Sequence, residues 1–172
     1  MIYILKKKRL VSLYIYLCLS PFIYISYYIK EVNFLAKEKC LCEELANILK
    51  GEAEQKKNLC KVTRERKNLK PTILGHPTSS DLVIALEFSF EPVAKKDKTL
   101  NLAELVFLQE EVNPFLEEIK KSKQILVTAI HNHWLFEEPR LIYVHLESVQ
   151  NPIEFAKEVA DALKKAGVST HI

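Results

Sequence analysis

The sequence predicts an α+β domain in which an antiparallel sheet has its helices packed on one face. Several short segments alternate apolar and polar residues with the two-residue period of half-buried strands. Two C-terminal segments instead carry apolar residues at helical spacing, and the second opens with Asn151-Pro152, a cap followed by proline at the first helical position. From about residue 101 the order is strand, helix, strand, strand, helix and a short strand at 168–172. This order predicts a ferredoxin-like βαββαβ unit.

The elements before residue 101 are a helix and several strands. Apolar positions between 34 and 49 form one helical stripe that Gly51 ends. Residues 52–58 are polar and are predicted to form a loop. Strand-like runs then follow at residues 59–65, 69–74 and 82–90.

Within the C-terminal unit, a strand at 102–108 precedes a helix that has Pro114 in its first turn, where proline is best tolerated. Two strand-like runs at 126–133 and 140–147 are separated by a short turn, which predicts an antiparallel hairpin. The last helix begins after Asn151, and both helical stripes are expected to be core.

The predicted hairpin holds three of the chain's five histidines. His131 and His133 are two residues apart, so they point to one side of a strand. If the hairpin pairs about its turn, Ala129 lies opposite His145 and His131 lies opposite Tyr143, and all three histidines share a face. Imidazole is the commonest metal ligand, and three imidazoles with one open position form a catalytic zinc arrangement. Because the alternating aliphatic residues should pack under the helices, this face is expected on the other side of the sheet.

Two classes of function remain open, so the sequence does not decide whether the protein is an enzyme. As an enzyme, the domain would hold a divalent metal such as zinc through the histidines, and Glu104 or Glu137 would shuttle protons in a hydrolysis. As a binding module, the same face would contact an envelope ligand or protein through the histidines, Tyr143 and Trp134 without turnover. A further interpretation needs no ligand: the histidines and Tyr143 are then only hydrogen-bonded polar residues on a solvated sheet face. The side of the sheet that carries Glu104 cannot be fixed from the sequence.

A basic run around residues 61–67 offers a second candidate feature. Arg64 and Arg66 could lie on one strand face as a clamp for carboxylate or phosphate, and a solvated charged strand is the alternative. The sequence contains no glycine-rich phosphate loop and no serine nucleophile elbow.

The charge of the chain is divided unevenly. Residues 1–30 hold five basic residues and no acid, and the remainder holds 20 basic and 22 acidic residues, a formal charge of −2. The basic character therefore belongs to the N-terminus. The body lacks the dense basic face that nucleic-acid binding requires, so no nucleic-acid partner is expected.

The N-terminal segment is predicted to be a membrane anchor. Leu10 to Ile29 is a run of 20 uncharged residues, long enough at about 1.5 Å per residue to cross a bilayer core of about 30 Å. The basic cluster before it should remain in the cytoplasm. Residues 1–30 are thus expected to form an uncleaved, single-pass signal anchor, with residues 31–172 as one domain outside the cytoplasm. A cleaved signal peptide is the alternative.

Export would place the cysteines of the body in an oxidising space, where disulfides persist. Cys42 and Cys60 could form a bridge between the first helix and the next strand, which leaves Cys40 as the odd thiol. Three free thiols are the alternative, and no Cys-x-x-Cys zinc motif is present in the sequence.

Several segments resemble the LppY/LpqO family, a bacterial family without an established function. The resemblance is carried by Val127-Thr-Ala-Ile-His-Asn-His-Trp-Leu-Phe-Glu-Glu-Pro-Arg-Leu-Ile-Tyr-Val-His145 and by the shorter runs Cys42-Glu-Glu-Leu-Ala46, Val62-Thr-Arg-Glu-Arg66, Pro71-Thr-Ile-Leu-Gly75 and Glu110-Glu-Val-Asn-Pro114. It covers roughly residues 40–165. It implies a bacterial, exported or membrane-attached protein, and it implies no activity.

Overall fold

The computed structural model describes residues 40–94 and 97–168. These residues form an α+β architecture with a six-stranded antiparallel sheet, which confirms the predicted α+β class and the predicted antiparallel sheet. The predicted anchor at Leu10–Ile29 lies outside the described residues. Among the residues that are described, no helix has the length and apolar character needed to cross a membrane.

The other elements are arranged around the large sheet. The strands are β1 (Glu52–Lys56), β2 (Leu59–Glu65), β3 (Thr72–Ile73), β4 (His76–Pro77), β5 (Ala85–Pro92), β6 (Thr99–Leu108), β7 (Leu126–His131), β8 (Glu137–Glu138) and β9 (Leu141–Gln150). The helices are α1 (residues 40–49), α2 (Asp81–Ile84), α3 (Gln109–Ile119) and α4 (Pro152–Lys165). Neighbouring strands of the large sheet follow the order β1-β2-β5-β6-β9-β7 and are all antiparallel, and β4-β3-β8 form a small second sheet.

The core lies between one face of the large sheet and the long helices. Phe107 of β6 packs on Phe115 of α3 with ring centroids 4.6 Å apart, and Phe90 of β5 meets Phe155 of α4 edge-on at 5.9 Å. All four side chains are almost completely buried. Residues of the opposite parity, including Glu104 and His145, therefore lie on the face turned away from α3 and α4, here called the open face.

The C-terminal unit is a split βαβ arrangement. The strands β6 and β7 are connected through α3, and β9 pairs antiparallel with both of them. In a complete βαββαβ unit a closing strand would pair with the free side of the first strand. Here β5 occupies that side of β6. Val168 is not in a strand, and residues 169–172 lie outside the described residues.

Polar residues 52–58 were wrongly predicted to form only a loop. Glu52–Lys56 is instead the edge strand β1, which pairs with β2 through a turn that has Lys57 at a φ of 50°. An edge strand has solvent on one side and can be built from charged residues, so its sequence lacks the apolar alternation that marks a half-buried strand. The predicted strand over 82–90 also begins later than expected, because residues 81–84 form α2.

Two helix beginnings are fixed by side chains. The Asn151 Oδ1 atom accepts hydrogen bonds from the backbone N–H groups of Ile153 and Glu154, as its position before Pro152 predicted. At the start of α3 the Glu111 carboxylate accepts the backbone N–H of Leu108 at 2.7 Å.

Candidate metal centre

The hairpin that carries the histidines has the predicted register. Ala129 lies opposite His145 and His131 lies opposite Tyr143 in the antiparallel pairing of β7 with β9. The pairing register shifts at a bulge between Val127 and Ala129. The pairs that follow, from Ala129 to His131, keep the predicted register. His131 and His145 therefore share the open face.

His131 and His145 form the closest pair of donor atoms. Their Nε2 atoms are 3.0 Å apart, and the two rings stack with centroids 4.9 Å apart and an interplanar angle of 23°. Two imidazole nitrogens bound to one tetrahedral zinc at about 2.0–2.1 Å would be about 3.3 Å apart. The distance between the two nitrogens is therefore within a few tenths of an ångström of the distance in a zinc chelate.

His133 reaches the same cluster without belonging to a strand. β7 ends at His131, and the following turn is held by Asn132, whose Nδ2 donates to the backbone carbonyl of Trp134 at 2.9 Å. One ligand atom from each of the three histidines lies within 4.8 Å of the other two. Bringing all three to tetrahedral zinc distances requires the donor atoms to approach one another by at most about 1.5 Å. Chemically, three imidazoles match a zinc-type ion.

Glu104 adds a carboxylate to the histidines. It lies on β6 directly opposite His145, which settles the side of the sheet that the sequence left open. Its Oε1 atom is 3.5 Å from Nε2 of His133, and its Oε2 atom is 3.7 Å from Nε2 of His145. The side chain is 38% exposed, so it can act either as a fourth ligand or as a proton acceptor in contact with solvent.

Burial favours the neutral form of His133. Desolvation lowers the pKa of this imidazole, and the nearby His131 and His145 lower it further, while the carboxylates of Glu104 and Glu137 partly oppose the shift. Only a neutral imidazole can offer a lone pair to a metal ion. The environment of His133 therefore favours the ligating form.

A groove on the open face leads to the cluster. It has a volume of about 500 Å³, a size usual for small-molecule sites, and is lined by Glu104, His145 and other residues from the six strands of the large sheet. Its polar lining includes Lys61, Thr63, Glu87, Ser89, Thr128 and Glu147. A polar molecule in this groove would meet the site from the β6 side.

The remaining residues predicted around the histidines are more buried than a ligand-contacting role requires. Tyr143 is 1% exposed, and its hydroxyl donates to the carbonyl of Val83 at 3.0 Å. The Glu137 side chain is fully buried, and one carboxylate oxygen accepts the backbone N–H of Leu141. The other Glu137 oxygen is buried and has no hydrogen-bond partner among the described residues.

The two arginines do not join the histidines. Arg64 lies opposite Leu86 on the helix-covered side of the sheet, and Arg66 is buried. The guanidinium of Arg66 makes two bonds to the carboxylate of Glu111, at 2.6 and 2.8 Å, and donates to the carbonyl of Val106. Arg66 thus fixes the beginning of α3 in a salt bridge that sequence reasoning missed. The signal for it was an acidic residue in the first turn of that helix.

Cys42 of α1 and Cys60 of β2 form a disulfide with a Cα–Cα distance of 5.5 Å, while Cys40 is a free, exposed thiol. The bridge joins α1 to the helix-covered face of the sheet, since Cys60 lies opposite Phe90. It is remote in the sheet from β7 and β9, so it supports the fold and takes no part in the histidine cluster.

A family model described as Domain of Unknown Function (DUF1259) matches residues 43–165. The match supports the expectation of an uncharacterised domain over nearly all of the described residues. The description of the family model does not mention LppY/LpqO, so that family name is not confirmed. No curated protein and no solved structure matches the chain.

Proposed function

The chain belongs to the family described as Domain of Unknown Function (DUF1259), and we propose that its domain binds a divalent transition metal such as zinc through His131, His133 and His145. The observation that carries this proposal is the convergence of three imidazole nitrogens within 4.8 Å on one face of a sheet. Two of them come from paired strands and the third from the adjoining turn, so the fold itself brings them together.

The proposed chemistry is metal-assisted hydrolysis in the groove. Three protein ligands leave a coordination position open, and a zinc-type ion supplies an acidified water there. Glu104 contacts two of the three histidines and is the residue placed to accept a proton from that water. Glu137 is a weaker candidate, because its carboxylate is fully buried and already bonded to Leu141.

The alternative is a binding module without turnover, and the surface beyond the histidines favours it. Leu135 and Phe136 are 78% and 69% exposed and follow Trp134 directly in the chain. Large apolar side chains exposed beside a polar cluster are common at sites of contact with a partner. In this case the histidines and Glu104 would hydrogen-bond an envelope ligand or protein.

Metal content separates the two functions. The full chain, purified in detergent without added metal and then dialysed against zinc, should retain about one ion by mass spectrometry. His131→Ala and His145→Ala should each lose it. His76→Ala is the matched control, because His76 is an exposed histidine of β4 outside the cluster, and it should retain the ion. Folded wild-type protein that takes up no zinc, cobalt or manganese would leave the binding module as the better function.

Glu104→Gln tests the role of the carboxylate. If Glu104 is the proton acceptor, this variant should bind zinc with nearly unchanged affinity and lose the zinc-dependent hydrolysis of p-nitrophenyl acetate. If Glu104 is instead a fourth ligand, zinc affinity itself should fall. A Glu104→Gln variant with unchanged activity and unchanged zinc affinity would exclude both roles.

We also propose that Leu10–Ile29 anchors the protein in the cell membrane with the body outside the cytoplasm. The charge asymmetry of the chain supports this, and the Cys42–Cys60 disulfide suits an oxidising compartment. Protease added to intact spheroplasts should then remove the body. Complete protection of the body, with cleavage after lysis, would refute the proposed location.

A further inference from the structure

The ring of His133 rests on the ring of Tyr143. The two ring centroids are 3.6 Å apart and the planes differ by 4°, the closest and most parallel of the ring contacts in the cluster. The contact between His133 and His131 is looser, with centroids 4.9 Å apart at 30°. Because His133 lies beyond the end of β7, no strand pairing orients its side chain, and Tyr143 provides its closest ring contact.

Tyr143 is itself held at both ends. Its backbone pairs with Val106 on one side and with His131 on the other, in the interior of the large sheet. Its hydroxyl donates to the carbonyl of Val83, next to the end of α2. The ring of Tyr143 is therefore held in place, and it is here called the platform for His133.

We propose that Tyr143 is a positioning residue for the metal site, which sets the orientation of His133 by stacking and is anchored in turn by Val83. This inference rests on the proposed metal site. An unsupported histidine on a turn would lose side-chain freedom on binding the ion, and a ring already held in plane avoids part of that cost. Supporting residues of this kind are commonly worth about 10- to 100-fold in metal affinity.

A double-mutant cycle tests whether Tyr143 affects zinc affinity through His133. Tyr143→Leu should weaken zinc binding by the full chain about tenfold in the wild-type background. In a His133→Ala background, titrated at the higher zinc concentrations that two remaining imidazoles require, the same change should have no further effect on the affinity, because the residue it acts through is gone. An equal loss in both backgrounds, or no loss in the wild-type background, would overturn the proposal. Tyr143→Phe keeps the ring but removes the bond to Val83, so it should give a smaller loss.

Phe107→Leu controls for general loss of stability. Phe107 is fully buried on the neighbouring strand β6, with its side chain on the opposite face of the sheet against Phe115. The control should lower the unfolding temperature and leave zinc affinity unchanged in folded protein. A loss of affinity in Phe107→Leu as large as that in Tyr143→Leu would show that destabilisation alone explains the effect and would overturn the proposal.

A metal-free measurement separates failure of this proposal from failure of the metal site. In the NMR spectrum of the apo protein, the ring protons of His133 should be shifted upfield by the Tyr143 ring, and Tyr143→Leu should remove that shift while Phe107→Leu should not. If the wild type binds no metal but shows the shift, the metal site fails and the platform remains. If it binds metal without the shift, the platform alone fails.

Discussion

His131 and His145 face each other across β7 and β9 with their Nε2 atoms 3.0 Å apart. At this distance the two nitrogens can share one proton, one as donor and the other as acceptor, and the roles depend on the tautomer of each ring. A proton and a metal ion would therefore compete for the same nitrogen lone pairs.

The first prediction concerns this competition. Zinc affinity of the wild-type chain should fall by about tenfold or more when the pH is lowered from 7.5 to 5.5, because the ion must displace protons from a three-imidazole site. Isothermal titration in buffers of different ionisation enthalpy gives both the affinity and the number of protons released. Zinc binding that is independent of pH over this interval would contradict coordination by the histidines.

The second prediction concerns the stability of the metal-free fold. Burial lowers the pKa of His133 from the ordinary 6.5, so the unfolded chain binds more protons than the folded chain below about pH 6.5. Above pH 6.5, His133 should therefore have no effect on the free energy of unfolding. As the pH falls from 6.5 towards the lowered pKa of His133, the free energy of unfolding should decrease. Glu104 and Glu137 reduce the effect, and His131 and His145 increase it.

Urea unfolding in EDTA at pH 7.5 and 5.5 measures this effect. His133→Asn should lose less stability on acidification than the wild type does. His76→Asn, which removes an exposed histidine, should match the wild type. An identical pH dependence in all three proteins would rule out a contribution from His133.

The histidine pair could be predicted from sequence because strand alternation and a short turn fix which residues lie opposite each other. That reasoning correctly placed His131 opposite Tyr143 and Ala129 opposite His145. It could not place Glu104, because the side of β6 depends on its register with β9, a long-range pairing that no local pattern specifies. The same limit applies to Arg66 and Glu111, which are 45 residues apart in the chain.

His133 lies in the histidine cluster for a different reason from the one that the sequence suggested. Alternation predicted that it would share a strand face with His131, but β7 ends at His131. The residue reaches the cluster through a turn closed by Asn132 and through its contact with Tyr143. Tyr143 was expected to contact a ligand, whereas its ring is covered by its neighbours and supports a histidine.

The third prediction concerns the buried salt bridge between Arg66 and Glu111. Its side chains are 1% and 10% exposed, so Glu111→Gln would leave an uncompensated charge in the interior. We expect a loss of about 3–5 kcal/mol in the free energy of unfolding. Glu118→Gln is the control, since its bridge to Lys121 is exposed and should be worth at most about 1 kcal/mol. Similar losses in the two variants would be inconsistent with this account.

The fourth prediction concerns helix capping. Asn151→Ala should cost about 1 kcal/mol, because Asn151 accepts two backbone N–H groups at the start of α4. Ser80 holds the equivalent position before α2 but makes no side-chain capping bond, so Ser80→Ala should change stability by less than about 0.5 kcal/mol. Chemical unfolding of both variants at pH 7.5 gives the comparison, and a larger effect at Ser80 would show that capping is not the cause.

The last prediction concerns the disulfide between Cys42 and Cys60. The bridge closes a loop of 18 residues, so replacing both cysteines by alanine should destabilise the fold by about 3 kcal/mol through the greater freedom of the unfolded chain. Cys40→Ser should have little effect, because Cys40 is exposed and unbridged. Urea unfolding with and without reductant distinguishes the two: the wild type and Cys40→Ser should both lose stability on reduction, whereas the double variant should not respond. If the wild type is equally stable under both conditions, the bridge contributes nothing, and the stability of this face comes from the packing of α1 alone.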